Sequence, residues 1–215
     1  MGLKRFSLIL ALLAFAGFAP AQDHHQHRFK DAEKWSRIFD DPARDAWQKP
    51  AEVVAALKLA PDAVIADIGA GTGYFAVRLA RAVPRGRVLA IDNEPDMVKY
   101  LAQRATREKL DNLTALQAGD NDAKLASPVD IAILVDVYHH VPQREKYFAR
   151  LRESLKPGGQ LVIIDFTLDS PVGPPKHARI PAERVKQELS RAGYTLTVEH
   201  GFLPNQYFLV FRPAP

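Results

Sequence analysis

Cysteine is absent from all 215 residues. Its absence excludes disulfides, thiolate zinc sites, iron–sulfur clusters, cysteine nucleophiles and a lipidated cysteine. It also removes any need for oxidative folding should the chain leave the cytosol. Long basic runs are missing too. The 29 Lys and Arg against 25 Asp and Glu leave a net charge of only +4. That balance does not point to nucleic acid as a partner. There is no internal repeat and no low-complexity linker. What remains is ordinary globular composition, 47% hydrophobic and 25% charged, which rules out wholesale disorder and fibrous repeats. A chain of this length accommodates one domain comfortably and buries enough apolar surface to fold without a structural metal.

Its first 21 residues read as an export signal. Lys4 and Arg5 form a short positive region, residues 6–18 are apolar apart from Ser7 and Gly17, and Ala19-Pro20-Ala21 is a small-x-small cleavage pattern. The apolar stretch is short of the ~20 residues a membrane-spanning helix needs. Gln22 is then the first mature residue, and the expected location is periplasmic or secreted. The alternative is an uncleaved signal serving as an anchor.

Residues 22–60 begin polar and His-rich and continue as a helical cover. Helical spacing marks residues 31–39, with Trp35, Ile38 and Phe39 on one stripe. A second helix spans 50–59, with Pro50 at a first turn. From residue 61 the pattern alternates. Short apolar runs at 63–68, 87–92, 113–118, 130–137 and 161–166 read as buried strands. Helices fall between them at 74–83, 95–109 and 142–155, and a further one at 181–192 ends at Gly193. Lys156-Pro-Gly-Gly159 reads as a helix stop. Strands at 195–200 and 206–212 are close enough to form an antiparallel hairpin. Near-continuous apolar strands between amphipathic helices imply a doubly wound α/β domain, with a mostly parallel seven-stranded sheet and an antiparallel C-terminal edge.

In such a sheet, ligands bind beyond the carboxyl ends of the strands. There the segment Asp67-Ile-Gly-Ala-Gly-Thr-Gly73 joins the first strand to a helix. Glycines let backbone approach a ligand closely, and the helix start presents unpaired N–H groups. The spacing is G-x-G-x-G, whereas a dinucleotide fingerprint is G-x-G-x-x-G. The carboxylate of Asp67 suits a ligand bearing an ammonium group. Asp92 ends the second strand, where an acid accepts hydrogen bonds from ribose hydroxyls. The third strand ends in Ala118-Gly119-Asp120-Asn121, and Asp120 either meets an adenine amino group or caps a short helix.

Together these segments, with Val135-Asp-Val-Tyr-His-His140 and Leu155-Lys-Pro-Gly-Gly-Gln-Leu-Val162, resemble the class I S-adenosylmethionine (SAM) methyltransferases of the type 11 group. The resemblance covers residues 64–166. It implies a Rossmann-like fold with SAM as cofactor. The loop from Asp67 to Gly73, including Gly69, Ala70 and Gly71, would hold the methionine part. Asp92 would take the ribose and Asn93 would lie along the adenine. Asp120 would take the adenine amino group with Asn121 beside it, and Asp136 would face the methyl donor and the acceptor. Residues 27–50, with Arg44-Asp-Ala-Trp47, resemble a subset of the group that carries export signals.

Methyl transfer from a sulfonium needs alignment, desolvation and a deprotonated acceptor. A general base is required only where the acceptor carries a proton that must leave. Asp136, His139, His140 and Asp165 are the candidates near strand ends, with Asp136 and His139 foremost. The histidines otherwise close the loop before Pro142, and Tyr138 packs under the cofactor or touches substrate. Trp35, Arg44 and Trp47 either wall an acceptor pocket, with Arg44 pairing an anionic group, or cover the core. The proline-rich loop at 170–180 sits where a substrate loop belongs. His24, His25 and His27 form a tract with imidazole donors, but no metal site is expected. The expected partner is a small-molecule methyl acceptor, with no nucleic acid. Competing readings are an exported ligand-binding protein that keeps the fold without catalysis, and a nicotinamide-dependent oxidoreductase.

Overall fold

The computed structural model describes residues 30–119 and 121–215. Residues 1–21, expected to be an export signal, and the histidine tract lie outside the described residues, as does Asp120. The central strands carry apolar side chains on both faces, and this dictates the architecture. Along β4 (Val129–Val135), Ile131 and Ile133 join one core while Ala132 and Leu134 join the other. In β5 (Leu155–Phe166), Val162 and Ile164 face the first core and Leu161 and Ile163 the second. A strand with no polar face must be covered on both sides. Helices α3 (Pro50–Ala56), α4 (Tyr74–Ala82) and α5 (Pro95–Arg107) supply Val53, Phe75, Leu79 and Leu101 to the first core. Helices α6 (Arg144–Arg152) and α7 (Ala182–Arg191) supply Phe148, Leu151, Val185 and Leu189 to the second.

The remaining strands are β1 (Val64–Ile68), β2 (Arg87–Asp92), β3 (Leu113–Gln117), β6 (Tyr194–His200) and β7 (Gln206–Pro213). The sheet order is β3-β2-β1-β4-β5-β7-β6, with the first five strands parallel and β7 antiparallel to both neighbours. This is the expected seven-stranded, doubly wound sheet with an antiparallel C-terminal hairpin. The order reverses between β1 and β4, so the crevice for a ligand opens at their carboxyl ends.

One boundary differs instructively. Lys156-Pro-Gly-Gly159 does not stop a helix at Leu155. Helix α6 ends at Arg152, and these residues run inside β5. Leu155 pairs with Val129, and the register then shifts before Ile131 meets Gln160. Gly158, at φ 77°, absorbs the irregularity. Lys156 is drawn in by Asp130, its Nζ 2.7 Å from Oδ2, and the same oxygen accepts the Val64 N–H at 2.8 Å. Asp130 therefore ties β1, β4 and β5 together at their amino ends. The proline-glycine signal marks a bulge here, because the strand has a partner on which to continue.

Ahead of the sheet, α1 (Ala32–Phe39), a 3-10 turn at Pro42–Arg44 and α2 (Asp45–Gln48) precede α3. Two short helices were expected over this stretch, and the chain makes three with a turn between them. Arg104 of α5 anchors the segment through Asp40 at 2.7 Å and also donates to the Thr72 carbonyl at 2.9 Å. Residues 40–48 are thereby held against the glycine loop. No helix among the described residues is long and apolar enough to cross a membrane.

Candidate active site

The glycine loop is fixed from both sides. Gly69 and Ala70 both donate N–H groups to the Ile91 carbonyl, at 2.8 and 3.0 Å. Gly69 adopts φ 74°, and a Cβ there would lie 2.4 Å from Val137 Cγ2. Gly73, at φ 93°, opens α4, and a Cβ would meet Leu101 at 2.8 Å. Only glycine satisfies both backbone and space at these two positions.

Two carboxylates flank the loop. Asp92 accepts the Gly71 N–H at 2.8 Å and the Glu94 N–H at 3.0 Å. Burial nonetheless raises its pKa above the ordinary carboxylate range. Asp67 is 3% exposed, and its Oδ2 has no hydrogen-bond partner. Burial first, and the neighbouring Asp92 charge second, push it up to about 7. Thr72 is 1% exposed and its Oγ1 is likewise without a partner. An unsatisfied buried acceptor costs on the order of 1–3 kcal/mol, more for a charged group. A fold that keeps two of them beside a glycine turn is shaped for a donor-bearing ligand. An ammonium group answers Asp67, so the residues present fit the methionine part of SAM. The acid at the end of β2 fits its ribose.

At the end of β4 the situation reverses. Asp136 adopts φ 62°, a left-handed conformation for a non-glycine residue. Its Oδ2 accepts from Arg44 Nη2 at 3.2 Å and from Gln48 Nε2 at 3.0 Å, and its Oδ1 accepts from Gln206 Nε2. Burial raises its pKa to about 6, although the Arg44 charge opposes the shift. Arg44 also donates to the Phe39 carbonyl and to Gln48 Oε1, and its guanidinium lies 4.3 Å from the Tyr74 ring centroid. Tyr74 in turn donates its hydroxyl to Asp45. The turn and α2 are thus drawn down onto the carboxyl end of β4 and the amino end of β7. Arg44, expected either to pair an anionic ligand or to cover the core, is committed to Asp136. Gln206 is 3% exposed, and its Oε1 has no partner.

His139 follows in a 3-10 turn, Tyr138–His140. Its Nδ1 lies 2.9 Å from both oxygens of Asp165, which is 2% exposed. Asp165 also accepts the His139 N–H at 3.2 Å and the Phe166 N–H at 2.8 Å. The His140 ring sits 4.1 Å from that of His139 and is solvent-exposed. Phe166 packs between His139 and Trp47, with ring centroids at 6.5 and 5.9 Å.

Tyr138 does neither thing expected of it. It is fully buried, stacks on Phe148 and donates to Glu188 at 2.7 Å. Glu188 also holds Arg144 at 2.6 Å and Arg184 at 2.8 Å, and these partners pull its pKa down to about 2 against the effect of burial. This cluster ties α6 to α7 and lies in the second core, away from the glycine loop.

The structure therefore brings Asp67, Gly69, Ala70, Gly71, Gly73 and Asp92 into one group, and Arg44, Trp47, Asp136, His139, His140 and Asp165 into another. Asn93 and Asn121 are exposed at the ends of β2 and β3. Trp35 stacks on Phe39 at 5.3 Å, and Phe39 in turn lies over Gly71. Sequence reasoning missed Thr72, Gln48, Gln206, Tyr74 and Phe166. Thr72 was inside the glycine motif and could have been found. Gln48 and Gln206 have no local signal, since only the fold makes them neighbours. No cluster of three or more metal-ligating side chains occurs among the described residues.

Residues 59–200 match the family model of a methyltransferase domain. Among curated proteins, a trans-aconitate 2-methyltransferase of Afipia carboxidovorans is 29% identical over 190 residues, covering 85% of this chain and 67% of that protein. A ubiquinone/menaquinone biosynthesis C-methyltransferase of Syntrophotalea carbinolica is 31% identical over 115 residues, 53% of this chain and 48% of that protein. The chain thus spans two thirds of the first relative and about half of the second. Among solved structures, a SAM-dependent methyltransferase from Aquifex aeolicus superposes with a TM-score of 0.77 at 25% identity, covering 84% of this chain and 97% of that one. A magnesium protoporphyrin IX methyltransferase from Synechocystis with bound SAM shares the fold, with a TM-score of 0.67 at 19% identity, covering 92% of this chain and all of that one.

Proposed function

Because the chain belongs to the class I family of SAM-dependent methyltransferases, we propose that it transfers the methyl group of SAM to a small-molecule acceptor outside the cytosol. The observation that carries the cofactor half of this reading is the buried, unpartnered oxygen of Asp67 beside the unpartnered hydroxyl of Thr72. The bound cofactor supplies an activated sulfonium methyl, and the protein's task is to hold, orient and dry the site.

In this reading Asp67 receives the ammonium group and Thr72 supports the same end of the ligand. Gly69, Ala70, Gly71 and Gly73 give the close approach. Asp92 receives the ribose hydroxyls, with Asn93 beside it. Asp120 and Asn121 receive the adenine edge. Asp136 and His139 stand on the acceptor side, with Trp47, Arg44, His140 and Asp165 around them. Trp35 belongs to the cover through its stack on Phe39. The described part of residues 22–60 acts as the cover and residues 61–215 as the methyltransferase domain.

A small acceptor is favoured because the relatives above include enzymes named for trans-aconitate and for a quinone. Export rests on residues 1–21, whose basic start, apolar stretch and Ala19-Pro20-Ala21 end follow the signal-peptide layout. The test combines two measurements. Calorimetry with S-adenosylhomocysteine (SAH) should show binding that is weakened at least tenfold by Asp67→Asn. Mass spectrometry of the protein from the envelope fraction should find Gln22 at its amino terminus. Binding unchanged by Asp67→Asn sinks the cofactor assignment. An intact, cytosolic chain sinks the export assignment. Binding without transfer to any acceptor would favour an exported ligand-binding protein.

A further inference from the structure

Two carboxylates stand on the acceptor side, and they are engaged differently. Asp136 holds three side-chain donors, Arg44, Gln48 and Gln206, and serves to hold the cover. Asp165 holds two backbone N–H groups and a single side chain, the His139 imidazole, through both oxygens. A buried carboxylate against Nδ1 selects the tautomer with the proton on Nδ1. Nε2 is then the ring nitrogen able to accept a proton. Asp165 is fixed at the end of β5, and the backbone N–H of His139 is bonded to the same carboxylate, so ring and backbone are both held. The charged and titratable groups around His139 are Asp165 from β5, Asp136 from the end of β4, His140 from its own turn and Tyr207 from β7, which pairs with Asp165 across the sheet. A histidine oriented by a buried acid has the arrangement of a general base.

Sulfonium methyl transfer needs a base only where the acceptor atom carries a proton. A carboxylate acceptor carries none at neutral pH. We propose that His139, positioned by Asp165, is the general base of this enzyme and that the acceptor atom is a hydroxyl oxygen. The inference rests on the methyltransferase reading above. The acceptor oxygen gives its proton to Nε2 and forms the O–CH3 bond as the methyl leaves sulfur, which keeps the electron pair of the broken bond. The positive charge thereby passes from the donor to the imidazolium, and the Asp165 carboxylate stabilises it there. Trp47 and Phe166 offer an aromatic wall beside the ring, and the Arg44 guanidinium is engaged by Asp136. A planar hydroxyl compound such as a phenol fits this surround better than an anion.

The test uses the full chain with methyl-labelled SAM and three probes, catechol, 4-methylphenol and trans-aconitate. Label should enter a phenol probe and not trans-aconitate. His139→Gln should lower kcat about 100-fold and leave SAH affinity unchanged. Asp165→Asn should lower kcat in the same direction, through loss of the ring's orientation, and also leave SAH affinity unchanged. A readout independent of turnover is nitrogen-15 NMR of the His139 ring. It should report the Nδ1–H tautomer in the wild type and a mixture in Asp165→Asn. Transfer to trans-aconitate alone, a His139→Gln variant within threefold of wild type, or no transfer to either phenol by a protein that binds SAH would each overturn the proposal. The last outcome leaves the cofactor reading standing, whereas failure to bind SAH removes both.

Discussion

The two halves of the site treat buried polarity in opposite ways. Around the glycine loop, Asp67 Oδ2 and Thr72 Oγ1 are buried without partners. Around Asp136 the carboxylate itself is bonded within the chain, residues 44, 48, 136 and 206 closing on one another, and the two buried atoms left without a partner there, Gln206 Oε1 and Tyr207 Oη, are uncharged. The first half stores a cost that a ligand relieves. The second half satisfies itself, so any acceptor must enter a space the chain has already organised. Binding of the donor and admission of the acceptor should therefore respond differently to mutation. Changes in the donor half should trade stability against affinity, and changes in the acceptor-side clamp should lose stability alone.

The largest effect is expected at Gly69. Gly69→Ala places a methyl 2.4 Å from Val137 Cγ2 at φ 74°, a strain of about 3 kcal/mol. It should lower Tm by roughly 6–12 °C and abolish measurable SAH binding. Adding Val137→Ala should recover part of the stability, because it removes the clashing methyls but not the backbone strain. Full recovery by the second change would show that φ contributes nothing.

Next comes Asp67. Its pKa is raised to about 7 from an ordinary value near 4. A carboxyl with a raised folded-state pKa favours the fold fully below the unfolded value, and that favour is lost as pH rises through the folded value. The ligand-free protein should thus lose stability between about pH 4 and 7, and Asp136, at about 6, adds in the same sense. Glu188, held near 2, works oppositely. Its stabilising effect is present above its unfolded value near 4.5 and is lost only as pH falls toward 2. Asp67→Asn should raise Tm at pH 8 by about 2–8 °C, corresponding to about 1–2 kcal/mol, while weakening SAH at least tenfold. Calorimetry near pH 6.5 in buffers of different ionisation enthalpy should also detect proton release on SAH binding, because the ligand favours ionised Asp67. A variant that is both less stable and unimpaired in binding would contradict the contrast between the halves.

Arg44→Ala gives the complementary pattern. It strips one donor from Asp136 and leaves Gln48 and Gln206, so about 1–2 kcal/mol of stability should go and SAH affinity should stay within threefold. Faster amide exchange over residues 42–56 would accompany it. Arg191→Ala calibrates the scale, since its pair with Glu145 is exposed on both sides and should change stability by less than about 0.5 kcal/mol.

The same contrast explains what could be read in advance. The donor half is nearly contiguous, with six of its residues in the seven from Asp67 to Gly73, where the acid and the glycines have reasons visible locally. The central strands were readable because both of their faces are apolar. The clamp joins side chains up to 162 positions apart, Arg44 and Gln206, and no periodicity marks either glutamine. Tyr138 misled because its neighbours belong to the site while its own ring turns into the second core. Lys156 to Gly159 misled because proline and glycine mark a break or a bulge alike, and only the partner strand decides which.

The most direct measurement is a calorimetric titration of the full chain and of Asp92→Ala with SAH, with NADH as a control. We expect the wild type to bind SAH and not NADH, and Asp92→Ala to bind SAH at least tenfold more weakly. It loses the carboxylate that we propose for the ribose and that orders the Gly71 N–H. Equal affinity in the two proteins, or binding of NADH in place of SAH, would contradict the assignment of this loop to the methyl donor.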